Sequence, residues 1–417
     1  MVNASRPRPT SAIDQGPGEP STALLGVLTL AAGALIANLY YAQPLVAEIG
    51  PAIGVSSDFA GSIVSMTQIG YGIGLFFLVS LADIVENKRL VLVTVGLTMV
   101  GLVGAATASG AGVFLAASLT VGLCSTGAQV LLPFLAHLVP PANRGRTVGK
   151  VMAGVLTGIM LARPAALFLS AALGWRAVFL LSAGLMAVIW LTLSVMMPTY
   201  RPKAQAHYGQ ILVSMVVLIR TMPAVRWRAA YQALMFCAFN MFWTAVPLLL
   251  ADRFHLGQKG IGLFALAGAG GAMAAPVAGR LADQGRSRAT SLAAMLVLSL
   301  SFFVSCWTGA GTLALIVLTV LAILIDAAVQ TTQVVSQKVI FGVAAEHRGR
   351  VNAVYMTCLF AGGAVGSILG TVSYHRGGWP ATGGIGTAIG GLLVLLLALE
   401  WLSDRAGRTK RVEKVPA

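Results

Sequence analysis

Two ionisable residues sit deep inside long apolar runs of this chain: Arg163, between Gly149 and Gly174, and Asp326, between Gly311 and Lys338. At about 1.5 Å of rise per helical residue, both fall near the middle of a membrane span, too far from either end for the side chain to reach water. An ion at that depth costs about 2.5 to 3.5 kcal/mol, so each needs a partner or a wet cavity. Their opposite signs predict a contact across a central cavity. The chemistry open to such a site is proton exchange, because a carboxylate that is dry in one conformation and wet in another can release and regain a proton beside a fixed positive charge. A permanent structural brace is the other reading.

Asp326 begins a polar stripe continued at helical steps by Gln330, Gln333 and Gln337, a face that lipid would not accept. An internal duplication places Thr126 and Gln129 opposite Gln330 and Gln333, so the fourth run lines the same cavity with Ser118, Ser125, Thr126 and Gln129. Asn38, Tyr40, Tyr41, Gln43, Asn240, Trp243 and Thr244 add polar and aromatic groups from two further runs. Together they predict a polar cavity with aromatic walls, suited to a small amphipathic organic solute. No cofactor or metal is expected. Cys124, Cys237, Cys306 and Cys358 lie in apolar runs without C-x-x-C spacing. His137, His207, His255, His347 and His375 lie at run ends or in loops with no paired nucleophile, which argues against an enzyme. A Gly-x-x-x-x-Gly-Lys-Ser/Thr loop is missing, which argues against direct ATP drive, and no filter-like constriction suggests a channel.

The elements that must position these residues are helices in a bilayer. The chain is 57% hydrophobic and 10% charged, against about a quarter charged in soluble domains. Apolar runs cover 23–48, 59–82, 90–110, 112–138, 148–173, 177–197, 229–251, 260–282, 289–309, 311–338, 351–372 and 381–402, and runs of about 20 residues span the hydrocarbon as helices. The reading is an all-α membrane protein of twelve transmembrane helices. The net charge of +15 does not point to nucleic acid, because the basic residues fall in short gaps between runs. Apart from Arg163, all but Arg176, Arg253, Lys259 and Arg376 share a side with the termini, which predicts both termini in the cytoplasm. A disordered tail is expected over 1–21, a first bundle over 22–198, a linker over 199–228, a second bundle over 229–402 and a tail over 403–417. Within the linker, Tyr208 to Arg220 is too short to span and is expected along the membrane interface.

The halves repeat landmarks at a near-constant offset: Leu81-Ala82-Asp83 with Leu281-Ala282-Asp283, Arg144-Gly145-Arg146 with Arg348-Gly349-Arg350, and Gly174-Trp175 with Gly378-Trp379. Duplicated six-helix units are a transporter architecture. The stretch Gly279-Arg280-Leu281-Ala282-Asp283-Gln284-Gly285-Arg286-Ser287-Arg288 resembles the loop signature of the major facilitator superfamily, and 80–89 keeps its Asp and basic end. Asn38-Leu39-Tyr40-Tyr41-Ala42-Gln43-Pro44-Leu45 and Gly174-Trp175-Arg176 resemble a bacterial branch of drug/proton antiporters.

The resemblance implies two pseudo-symmetric six-helix bundles, alternating access, and a monomer in the bacterial inner membrane that exchanges a small solute for protons among lipid. It also implies a gating role for Asp83 and Asp283, with Arg89 and Arg286 in the adjoining basic clusters; balancing those clusters is the simpler alternative. In segment 5 Arg163 precedes Pro164, and Ser118 stands where that branch would carry an Arg. A proton symporter or carboxylate carrier, with Arg163 holding an anion, therefore stays open, as does a transporter-like signalling protein. Gly70/Gly74, Gly154/Gly158, Gly268/Ala272, Gly271/Ala275 and Gly362/Gly366/Gly370 form small-residue ridges expected at a seam between halves or in packing within one.

Overall fold

The computed structural model describes residues 21–202, 207–343 and 348–412. The N-terminal tail before Ser21, Lys203, His347 and the last residues, Lys414 among them, lie outside the described residues. No strand occurs among the described residues, and nine helical stretches there are long and apolar enough to cross a membrane. One of them, Arg348–Ser403, has 56 residues, roughly twice what a single crossing needs.

Helix α1 (Thr22–Ala37) starts where the Ser21 hydroxyl accepts the Leu24 N–H at 3.2 Å. The first run was expected to be continuous to 48, but the chain turns at 38–42, makes a 3₁₀ turn at Gln43–Leu45 and resumes as α2 (Val46–Ala52). Pro44 bars a regular helix through 40–44, since it has no N–H for the Tyr40 carbonyl and its ring clashes there, while α1 itself stops earlier, at Ala37. Next come α3 (Ser62–Leu81) and α4 (Asn87–Thr107). The fourth run is interrupted at Thr126 between α5 (Ala111–Ser125) and α6 (Gly127–Leu138), where the Thr126 hydroxyl donates to the Leu123 carbonyl at 2.6 Å. Helices α7 (Pro141–Leu173) and α8 (Trp175–Met196) complete the first half.

Helix α9 (Tyr208–Thr221) takes the place of the interfacial segment. It buries Ile211 and Met215 and exposes Val213 and Val217. It also touches both halves, with the Tyr208 hydroxyl on the Phe77 carbonyl at 3.0 Å and Ser214 accepting from Arg350 at 3.1 Å. The second half runs through α10 (Pro223–Phe254), α11 (Gln258–Gly268), a 3₁₀ stretch (Ala269–Ala274), α12 (Ala275–Asp283), α13 (Ser287–Cys306), α14 (Thr312–Val343) and α15 (Arg348–Val412). Within α15 the backbone turns at Gly378, φ +63° and ψ −165°, splitting it into arms 348–377 and 379–412. Gly174, φ +82° and ψ 158°, does the same between α7 and α8. Each of these glycines takes a conformation closed to side chains, and each is followed by a buried Trp, so the duplication legible in the sequence is present in the backbone.

The glycine ridges pack within halves and not across the seam. A Cβ on Gly70 or Gly74 would strike the α5 carbonyls of Leu119 or Leu123, and one on Gly362, Gly366 or Gly370 would strike α10 carbonyls. Glycines outside those ridges face the other half: Gly61, whose added Cβ would lie 2.2 Å from the Ser367 carbonyl oxygen, Gly262, 3.3 Å from Phe168, and Gly72, 3.6 Å from the Thr357 carbonyl oxygen. The ridge periodicity is the same in both settings, so spacing alone could not tell them apart.

Candidate functional site

The break in α1 carries Gln43 to the middle of the protein, where its side chain reaches the second half. Gln43 Nε2 donates to Asn240 Oδ1 at 3.1 Å and to Thr244 Oγ1 at 3.2 Å, both on α10. Gln68 of α3 donates to the same Asn240 oxygen at 3.3 Å. From α7, Arg163 Nε donates to Gln43 Oε1 at 2.9 Å. The guanidinium lies 5.0 Å from the Tyr40 ring centre, 5.1 Å from Phe239 and 4.7 Å from Trp243, an aromatic box that stabilises a buried cation. Trp243 then donates its indole N–H to Asp326 Oδ1 at 2.8 Å.

Arg163 and Asp326 are 5% and 8% exposed, and no ion pair joins them among the described residues. Trp243 stands between them, ring toward the cation and N–H toward the carboxylate. The expected contact is thus replaced by a relay through a neutral ring. Room for it comes from Gly268 at the end of α11 and Gly271 in the 3₁₀ stretch that follows. A Cβ on Gly268 would meet the Trp243 ring at 2.5 Å, and one on Gly271 would meet Asp326 Cβ at 2.4 Å. Arg163 Nη2 is buried without a hydrogen-bond partner, an expensive omission for a charged group unless something else satisfies it.

The other residues named from the sequence fall around this knot without joining it. Asn38 accepts from Ser182 at 2.6 Å, Tyr41 is half-buried, and Gln129 donates to the Tyr71 hydroxyl at 3.2 Å. Ser125 and Thr126 are buried, while Gln330 and Gln333 are half-buried on α14. Gln68 and Phe239 were not anticipated. Gln68, a lone amide in the second apolar run, was detectable by the same rule that singled out Gln43.

At the end toward Ser21, Asp83 follows α3 and lines a cleft of about 340 Å³ with His137, Gln129 and Arg350. Desolvation in that cleft raises the Asp83 carboxyl above the usual carboxylate range, while the Arg350 and His137 charges oppose the rise. Asp83 thus faces the second half through Arg350. Asp283 pairs instead with Lys338 inside its own half, and Arg89 and Arg286 are exposed. At the far end the halves are joined by Glu48 of α2, which accepts from Ser170 Oγ of α7 at 2.8 Å and from Gln258 Nε2 of α11. Asp58 pairs with Arg376 at 3.8 Å there, and Ser65 Oγ donates to the Ala364 carbonyl at 2.6 Å.

A second buried charge cluster lies inside the second half. Arg228, at the start of α10, meets Ser291 at 3.1 Å and Glu400 at 3.8 Å, and Glu400 accepts the Tyr231 hydroxyl at 2.9 Å. The sequence reading left Arg228 in the linker and passed over Glu400, although a lone carboxylate at the end of the last apolar run was a visible signal.

With this geometry in hand, the relatives agree. The family model described as Major Facilitator Superfamily matches residues 25–340 and 232–417. The chain is 36% identical over 382 residues to a protein of Escherichia coli O157:H7 named uncharacterized transporter YgaY, covering 91% of this chain and 95% of that one. It is 32% identical over 390 residues to the Streptomyces coelicolor protein named probable transporter SCO4007, covering 91% and 88%. The D-xylose-proton symporter crystal structure shares its fold with a TM-score of 0.72 at 13% identity, over 89% of this chain and 96% of that one. A helical chain in two related halves, with buried polar groups meeting across the seam, therefore belongs to the major facilitator superfamily: it is a multi-pass membrane transporter, a carrier of small molecules and not an enzyme.

Proposed function

We propose that this carrier works as a monomer by proton-coupled alternating access, exporting a small amphipathic organic solute across the bacterial inner membrane as a drug/proton antiporter does. In this reading twelve spans form bundles 22–198 and 229–402, the segment 199–228 links them, and both termini are cytoplasmic. Asp326 carries the proton, Arg163 is its fixed counter-charge, and Asn38, Tyr40, Tyr41, Gln43, Ser125, Thr126, Gln129, Asn240, Trp243, Thr244, Gln330 and Gln333 line the solute's path. Asp83 and Asp283, with Arg89 and Arg286, move with the gate.

The observation that carries the reading is Trp243, which touches Arg163 with its ring and Asp326 with its N–H. A change in the charge of Asp326 is thereby felt at the knot that ties Gln43 to Asn240, the bond between halves that must part when access alternates. The test is drug accumulation in a deletion strain, followed by efflux of each hit from vesicles across a pH series. Asp326→Asn should abolish the proton dependence; an unchanged pH profile in that variant removes Asp326 from the coupling step.

One observation favours a second reading. The partnerless Nη2 of Arg163 fits an anionic group on the solute. Neutralising Asp326 would then strengthen binding, so proton and anion would travel together, as in a symporter. Acidifying the solute's side of the vesicle separates the two: export exchange slows when solute and proton compete, whereas symport of a fluorescent carboxylate accelerates.

A further inference from the structure

A cleft of about 670 Å³ runs between α1 and α7, with Leu185 of α8 as its third wall. It lies on the opposite face of α7 from Arg163, and Tyr41 borders it at the end away from Lys150. Gly154 lines it, whereas Arg163, nine positions on and so on the opposite helix face, contacts α10. Leu30 and Leu161 on its walls are 54% and 48% exposed, and at its floor Gly33 and Gly158 bring the two backbones together. A Cβ added at Gly26 would meet nothing within 4 Å, which marks open trough.

At the end near Ser21 the trough is bordered by Lys150, exposed, with Arg146 one turn earlier on the same helix. An apolar channel open to the outside of a membrane protein and closed at one mouth by an ammonium group matches an acyl chain bearing an anionic headgroup. A cationic amphiphile would be repelled at that mouth. Of the hydroxyls on the walls, those of Thr29 and Thr157 already donate to carbonyls of their own helices, which leaves few donors for a strongly polar solute.

We propose that the α1–α7 cleft is a binding site for an anionic phospholipid, one acyl chain lying along the trough and the phosphate on Lys150. The test is native mass spectrometry of the full chain titrated with phosphatidylglycerol or with phosphatidylcholine of the same acyl chains. Phosphatidylglycerol should be retained preferentially. Lys150→Ala should weaken its binding on the order of five-fold while leaving phosphatidylcholine unchanged, and Lys150→Arg should keep it. Gly26→Leu, filling the trough, should weaken both lipids. Phosphatidylglycerol binding untouched by Lys150→Ala and by Gly26→Leu overturns the site. A loss in Gly26→Leu alone overturns the anionic assignment and makes the trough an acyl slot blind to headgroup. Both positions are exposed, so folding is not at stake, and Lys150→Ala against Lys150→Arg decides even if Gly26→Leu does not express.

Discussion

The two buried charge clusters solve the same desolvation problem in opposite ways. Inside the second half, Arg228 and Glu400 form an ion pair at 3.8 Å seconded by Ser291 and Tyr231, so each charge has an opposite charge beside it, although Arg228 Nε, like Arg163 Nη2, has no hydrogen-bond partner. In the seam, Arg163 and Asp326 are answered by an amide, three aromatic rings and an indole N–H, and one guanidinium nitrogen is left over. A direct buried pair is strong only as long as both members stay put. A cluster joined by neutral groups can exchange partners without ever stranding two bare ions, which is what a moving seam demands.

The comparison is broken or sharpened by four measurements. The largest effect is expected for Glu400→Gln, which leaves Arg228 buried without its counter-ion and should cost about 3 to 5 kcal/mol of stability, read as the unfolding midpoint in detergent. The double variant Arg228→Met/Glu400→Leu should recover much of that loss; if it is no more stable than the single variant, the cluster is not a brace. Trp243→Phe keeps a ring beneath Arg163 but removes the N–H from a carboxylate, an exchange of about 1.5 to 3 kcal/mol. Its mark should be a displaced pH profile of transport with the fold intact, and an unmoved profile would show that the indole does not link the two charges.

Gly271→Ala places a methyl against Asp326 and the Ile323 carbonyl. It should cost about 1 to 3 kcal/mol in overpacking and slow transport, whereas Gly270→Ala, with nothing within 4 Å, should do neither. The smallest effect belongs to Asp83. Because its carboxyl is raised in the cleft, the described conformation binds a proton there more readily than one in which Asp83 is solvated. Lowering the pH through and just above the ordinary carboxylate range should therefore favour this conformation, by less than about 1 kcal/mol. Interspin distances between labels flanking the cleft should respond to pH in the parent and not in Asp83→Asn.

Much of this molecule was legible before folding because a bilayer writes its demands into composition. Apolar runs marked the helices, and Arg163, Asp326, Gln43, Asn240, Trp243 and Thr244, chosen because lipid would reject them, come together in one cluster. The interruptions were harder. Hydropathy is blind to a turn made of apolar residues, so the breaks at 38–42, at Thr126 and at Ala269–Ala274 were read as continuous helix. Pro44 marked the first of them, but at the third it is only the packing that shows Gly268 and Gly271 leaving room for Trp243 and Asp326. Gln330 and Gln333 share the stripe that begins at Asp326 yet stay outside the knot, since periodicity gives a face and not a depth along it.

Glu48 carries a consequence for how the protein meets the medium beyond its far end. One carboxylate oxygen is held from α7 and the other from α11, so parting those helices leaves the first bond in place and frees one oxygen that only solvent can then satisfy. Unsealing that end and flooding it are a single event, and a vestibule that gapes while dry is not among the shapes this chain can adopt.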